Sequence, residues 1–269
     1  MKNDWKKAGL NGKVRKVFNI QYDKDMDTEK SICTEIIYNE NGFKTAYSSN
    51  NKYIGLKVKE LFAYGDNGEL LSIFSEYEDN GDISKKTVKY VYEWSNDHTI
   101  TRTKLEKMEE SGFYAEDDDF YISSVVEFNR YGDKVMEKRY LYYADNGELA
   151  NIENTTCEYK YDCMGNMEFS HEKNYCNEEI TSEIRTSYRY DNNCLTEING
   201  KVFLSDGDCR DYTEKYDGYG NILKKVFRGK IDAVCKNTLD EHKNVVREES
   251  YDSDGNLNGI IIKKYEYYE

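Results

Sequence analysis

The sequence predicts an all-β protein, a single twisted antiparallel meander of repeated hairpins. Three observations predict it. A Tyr or Phe followed four positions later by Gly occurs nine times, aromatics sit two apart along the chain, and 18 Gly stand in 269 residues with no Pro. With 26 Tyr and 10 Phe, random placement gives about two such aromatic–Gly pairs. Turns in this chain therefore rest on Gly, Asn and Asp.

Residues 1–20, with Leu10, Val14 and Val17, read as an N-terminal cap. The repeat array runs over residues 38–258. Its copies are Tyr38-Gly42, Tyr64-Gly68, Tyr77-Gly81, Phe128-Gly132, Tyr143-Gly147, Tyr161-Gly165, Phe203-Gly207, Tyr216-Gly220 and Tyr251-Gly255. Six carry Asn or Asp just before the Gly. Six carry an aliphatic side chain or Met two residues after it: Leu70, Ile83, Leu149, Met167, Ile222 and Leu257. In the Tyr216 copy the aromatic ends a strand, Asp217 to Gly220 form a type I turn, and Gly220 takes the positive φ that re-enters the sheet through a bulge. Ile222 then starts the next strand.

Between turns, Tyr90 and Tyr92, Tyr159 and Tyr161, and Tyr188 and Tyr190 each fall on one face of a strand. Tyr92-Asn96, Tyr190 to Cys194 and Leu239 to Val245 read as decayed copies. Residues 101–121 break the rhythm with an acidic insertion that fits a longer hairpin or a short helix equally. No Gly-, Ser- or Pro-rich linker divides the chain, so the array reads as one domain, 1–269. The pattern leaves an open sheet and a closed barrel both standing.

Composition narrows the function. Against 38 Lys and Arg stand 52 Asp and Glu, a formal charge of −14, which argues against nucleic acid as partner because phosphate neutralisation needs a basic face. No run approaches the roughly 18 apolar residues of a membrane helix. The start, Met1 to Trp5 followed by Lys6 and Lys7, lacks the apolar centre of a signal peptide, so the chain reads as cytoplasmic.

Seven Cys (33, 157, 163, 176, 194, 209, 235) include no C-x-x-C pair, and only His98, His171 and His242 stand beside them. They read as small apolar side chains facing a sheet, with no metal and no cofactor expected. Asp23, Asp25 and Asp27 space like a calcium loop, but Thr28 stands where Gly is required and Thr34 where Glu belongs. No phosphate-binding loop or nucleophile elbow is present. The chain reads as non-enzymatic.

Tyrosine stabilises thin sheets by cross-strand stacking and also builds adhesive protein surfaces. Trp94, Tyr131 and Tyr219 fall at or near turns, where they have no core to fill. With the acidic set Glu109, Glu110, Glu116, Asp117, Asp118 and Asp119 they form a candidate partner-binding surface that steers a basic protein.

Tyr-Asp-x-x-Gly-Asn stands intact at 161–166, 216–221 and 251–256. On these residues the chain resembles the YD-repeat proteins of the bacterial Rhs type, in their short stand-alone form. That resemblance implies a non-catalytic scaffold binding another protein, most concretely an immunity protein that neutralises a bacterial toxin. The alternative is a cell-surface or carbohydrate-binding scaffold. The opening Leu10-Asn11-Gly12-Lys13-Val14 is similar to the start of mature YD-repeat lipoproteins, which implies a periplasmic location instead of a cytoplasmic one.

Overall fold

A computed structural model describes residues 4–95, 100–110, 120–130, 132–142 and 149–269. A four-residue helix, α1 (Asp4–Lys7), precedes eighteen strands. They are β1 (Val14–Asp23), β2 (Ile32–Tyr38), β3 (Lys44–Asn51), β4 (Leu56–Tyr64), β5 (Leu70–Asp79), β6 (Asp82–Trp94), β7 (Ile100–Glu110), β8 (Tyr121–Phe128) and β9 (Lys134–Tyr142). There follow β10 (Leu149–Tyr161), β11 (Met167–Cys176), β12 (Glu179–Asp191), β13 (Cys194–Leu204), β14 (Cys209–Tyr216), β15 (Ile222–Phe227), β16 (Lys230–Leu239), β17 (Val245–Tyr251) and β18 (Leu257–Tyr267). The strands belong to one eighteen-stranded sheet, so the chain is all-β and a meander of hairpins.

The choice that the sequence leaves between an open and a closed sheet is made at the ends of the meander. In an open meander the first strand is an edge, with a row of unpaired N–H and C=O groups that invites aggregation. Here β1 is paired antiparallel on both sides, with β2 and with β18. Ile20 lies opposite Cys33 on one side and opposite Ile262 on the other.

The aromatic–Gly repeat is a hairpin of defined chemistry. At Tyr216, the Asp217 N–H donates to the Asn221 carbonyl (2.9 Å) and the Gly220 N–H to the Asp217 carbonyl (3.1 Å). The Asp217 carboxylate oxygen Oδ1 accepts the N–H of Tyr219 (2.8 Å) and of Asn221 (2.9 Å), and Oδ2 accepts the Asn221 side-chain amide (2.9 Å). Asp, Gly and Asn thus occupy the three positions at which a short acceptor, a positive φ and a returning donor are needed. The bulge sets Tyr216 opposite Ile222. Tyr64 with Leu70, Tyr161 with Met167 and Tyr251 with Leu257 pair likewise, which explains the recurrent apolar residue two after the Gly. Each such aromatic–aliphatic pair contributes about 0.2–1 kcal/mol.

The same pair of backbone bonds closes eight turns, starting at Asn39, Gly65, Asn129, Asp162, Leu204, Asp217, Asp240 and Asp252. Gly42, Gly68, Gly132, Gly165, Gly207, Gly220 and Gly255 hold φ between +78° and +86° in them. Gly81 differs. It forms a two-residue turn with Asn80, both at positive φ (97° and 51°), and Asp79 lies opposite Asp82. Gly147 lies outside the described residues. Of the decayed copies, Asp240 to Asn244 is a full five-residue turn with Lys243 at φ 69° in the Gly position, whereas Asn192 and Asn193 make a two-residue turn.

By contacts the chain forms two compact units. The first comprises Met1–Lys89, Lys107–Asp119 and Ile231–Glu269, the second Tyr90–Glu106 and Phe120–Lys230. In the first unit, Val14, Val17 and Tyr38 are buried, with Trp5, Leu10, Ile36, Tyr265 and Tyr267 packed on them. The segment read as a cap is therefore part strand and part packing element. Trp5 donates its indole N–H to the Val14 carbonyl (2.6 Å), and the Asp4 carboxylate accepts the Lys44 N–H and the Tyr64 hydroxyl, both at 2.8 Å. Buried Asn244 ties this segment to the last strand. Its amide donates to the Asn11 carbonyl and the Tyr267 hydroxyl, and its carbonyl accepts the Asn11 N–H (2.7 Å).

Candidate functional site

Register assigns every strand residue to one of two faces. In the first unit, Phe18, Glu35, Ser48, Lys59, Glu76 and Lys85 form one cross-strand row from β1 to β6. Ion pairs lace this face: Lys16–Glu35 (2.6 Å), Lys57–Glu78 (2.7 Å) and Lys59–Glu76 (3.7 Å). The opposite face carries the row Val17, Ile36, Tyr47, Glu60, Ser75 and Lys86, in which the Ser75 hydroxyl donates to Glu60 (3.2 Å). A cavity of about 500 Å³ opens on this second face at the β1–β18 seam, where Gln21, Asp23, Glu248 and Ser250 line it.

Burial raises the hydroxyls of several tyrosines. Burial, helped by Asp4, pushes the Tyr38 hydroxyl up to about 12. Burial and a hydrogen bond donated to Asp240 push Tyr267 to about 12. Tyr159 and Tyr161, read as sharing a face, have ring centroids 6.2 Å apart, and burial also raises Tyr159, which donates to the Lys134 carbonyl.

In the second unit a trench of about 350 Å³ crosses β11 to β14. Its geometry follows from side-chain length. One cross-strand row runs Phe169, Ser187, Asn199, Thr213, and the last three are short. The row on one side is His171, Arg185, Lys201, Asp211, and on the other Arg189, Glu197, Lys215. The short row beside long Arg185 and Lys201 leaves a channel that also reaches Thr186, Gly200 and Tyr212 between the two rows.

The walls are braced. Glu183 accepts from Arg185 (2.6 Å) and meets His171 Nε2 at 2.8 Å. These contacts, Arg185 foremost, hold its carboxyl below the usual range. Glu197 accepts the Asn199 amide (2.7 Å) and pairs with Arg189 (3.3 Å) and Lys215 (3.7 Å), so it too lies low. The Arg185 guanidinium sits 5.1 Å from the Phe203 ring centre, drawn back from the trench. Lys201 makes no ion pair among the described residues. Beneath the floor, on the opposite face, the Tyr212 ring covers the space that a side chain at Gly200 would occupy, and its hydroxyl lies 3.2 Å from Thr186 Oγ1.

The residues singled out in the sequence do not converge on this trench. Trp94 ends β6 with 64% of its surface exposed, and Tyr219 sits at a turn tip, 52% exposed. Glu109 and Glu110 close β7. Glu116, Asp117, Asp118, Asp119 and Tyr131 lie outside the described residues. The trench residues were missed because Ser187, Asn199 and Thr213 are unremarkable until register places them side by side. Asp23, in the calcium-like stretch, spends Oδ1 on the N–H groups of Asp25 and Asp27. All seven cysteines are free: Cys157 and Cys235 are buried, whereas Cys163, Cys194 and Cys209 are exposed, unlike the sheet-facing positions expected for most.

No protein-family model matches the chain, and no curated protein matches it. Solved structures do. A porin-like protein from Bacteroides uniformis aligns at 13% identity and TM-score 0.43 over 94% of this chain and 98% of its own. A porin-like protein from Bacteroides vulgatus aligns at 13% identity and TM-score 0.36, over 95% and 98%. TcdB2-TccC3 without its hypervariable C-terminal region aligns at 13% and TM-score 0.23, over 86% of this chain and 18% of that one.

These findings correct four expectations. The YD-repeat resemblance is set aside, since no family model supports it and the first strand pairs with the last instead of standing as the edge of an open repeat meander. The physical reason is that Tyr-Asp-x-x-Gly-Asn encodes a capped five-residue hairpin, which any antiparallel sheet can use. The immunity-protein function that rested on that resemblance goes with it, as do the terms antitoxin and Rhs-like. The cytoplasmic location, and the periplasmic alternative, are likewise set aside, because an antiparallel sheet whose first strand pairs with its last can cross a membrane by strands without any apolar helix. No helix among the described residues is long and apolar enough to cross a membrane, which bears only on helices.

Proposed function

We propose that this chain is a non-enzymatic antiparallel β-sheet scaffold of the cell surface, its first strand paired with its last and its sheet wetted on both faces. One observation carries this reading. Lys59 and Glu60, neighbours in the middle of β4, lie on opposite faces in rows that each carry further charges. A membrane-embedded barrel turns an apolar band about 25 Å tall to lipid, and a Lys or Arg at the midplane costs about 2–4 kcal/mol. Whichever face met lipid, charged side chains would enter the hydrocarbon.

The test has two parts. On intact native cells, a membrane-impermeant amine reagent is expected to label the protein. In detergent-phase separation the purified chain is expected to stay in the aqueous phase and to leave planar bilayers non-conducting. Stepwise channel currents with recovery in the detergent phase would replace the scaffold with a spanning pore, for which eighteen strands of 6–13 residues are sufficient in number.

A further inference from the structure

We propose that the trench across β11 to β14 is a binding site for an oligosaccharide carrying a carboxylate. The proposal rests on the surface-scaffold reading and names the ligand of that surface. The floor offers acceptor lone pairs on the Ser187 and Thr213 hydroxyls, whose protons go to the Asn199 backbone carbonyl (3.4 Å) and to Asn199 Oδ1 (2.8 Å), and the one Asn199 amide proton not given to Glu197, groups that match sugar hydroxyls, which both donate and accept. Phe169 closes one end with an apolar ring for the C–H face of a sugar. Four strands about 4.8 Å apart make the trench roughly 14 Å long, a length suited to a short chain of rings.

Charge selects the acid. Arg185 and Lys201 are directly opposite on the wall, and like charges so placed repel each other. Arg185 is neutralised by Glu183, whereas Lys201 keeps its ammonium for a ligand carboxylate, a charge-assisted bond. Asp211, opposite Lys201 on the far side, disfavours a second carboxylate there and accepts hydroxyls instead. A peptide adding as a strand is a poorer occupant. Strands β12 and β13 are paired on both edges, so no backbone row is left to receive one. Nucleic acid is poorer still, because the walls alternate in sign.

The experiment is calorimetry on the intact purified chain with polygalacturonate, neutral dextran and poly-glutamate, repeated with Lys201→Gln and Ser187→Tyr. Polygalacturonate is expected to bind at least tenfold more tightly than the other two. Ser187→Tyr, a substitution at an exposed strand position, fills the floor and is expected to abolish binding with the circular dichroism unchanged. Lys201→Gln is expected to erase the preference for the acidic polymer over dextran, and it keeps the test decisive if the tyrosine variant fails to fold. Equal binding of poly-glutamate, no binding of polygalacturonate, or full binding by Lys201→Gln overturns the site. The scaffold reading is judged separately by cell labelling and bilayer recordings, so the two can fail independently.

Discussion

Ile20 of the first strand lies directly opposite Ile262 of the last. Nine register pairs, from Val14–Tyr267 to Asp23–Gly259, join these strands with one irregularity between Val14 and Lys16. The seam is sealed by side chains as well. Arg15 reaches Glu266 (2.5 Å), the Tyr268 N–H donates to the Lys13 carbonyl (2.8 Å), and the Tyr268 hydroxyl donates to the Tyr38 carbonyl (2.6 Å). The chain ends thus protect each other's hydrogen-bonding edges.

The repeated turn predicts opposite outcomes at two neighbouring glycines. Gly220 has φ +85°, with open space where a Cβ would go, so alanine there meets only backbone strain. Gly220→Ala is expected to lower stability by roughly 1–2 kcal/mol. Gly218 has equally open space but no positive φ, and Gly218→Ala is expected to be neutral or to stabilise by about 0.4–1 kcal/mol through the unfolded chain. Urea midpoints read both. Equal effects would mean the five-residue turn is misassigned.

Acid tests the turn caps. Hydrogen bonds from Asn166 hold the Asp162 carboxyl below its ordinary value, and those from Asn256 do the same for Asp252. A depressed carboxylate stabilises the fold above the unfolded pKa near 3.9 and loses that contribution as pH falls through the lower folded value. The double variant Asp162→Asn, Asp252→Asn is therefore expected to lose less stability than the parent chain between pH 5 and pH 2. The carboxylates are only half-buried, so the difference is small and shrinks with salt. Identical acid limbs in the two unfolding profiles would refute the cap assignment.

Alkali tests the buried tyrosine. Tyr38 is only 4% exposed and is pushed up to about 12. Its contribution is complete below the unfolded value near 10 and is lost as pH rises towards 12, because the unfolded chain releases a proton that the fold retains. Tyr38→Phe is expected to match the parent chain near pH 8 and to be the more stable of the two at pH 11. Melting curves at the two pH values decide it, and an equal fall in both proteins would count against Tyr38 as a buried neutral phenol.

Much of the fold is written locally. Each five-residue turn is decided within six residues, so glycines such as Gly165 and Gly255 mark hairpins without tertiary information. Asn39 and Asn129 accept the same backbone N–H groups as Asp, so the copies at Tyr38 and Phe128 are as legible as those with Asp, whereas at Asp240 Lys243 carries a positive φ that its side chain does not announce. Two-residue turns at Asn177-Glu178 and Arg228-Gly229 lack the aromatic–Gly spacing altogether. Closure was illegible for another reason. Ile20 and Ile262 are brought together by register alone, and the alternation that predicts a strand is identical in an edge strand and a doubly paired one. The trench hid likewise, since Ser187, Asn199 and Thr213 become a floor only through pairing.

Amide hydrogen exchange along β1 tests the closed sheet most directly. A strand paired on both sides engages successive N–H groups alternately with its two neighbours, whereas an edge strand leaves every second one to water. Over Lys16 to Gln21, flanked by β2 and β18, the account predicts slow exchange at every amide. Alternating fast and slow amides over those residues would contradict it.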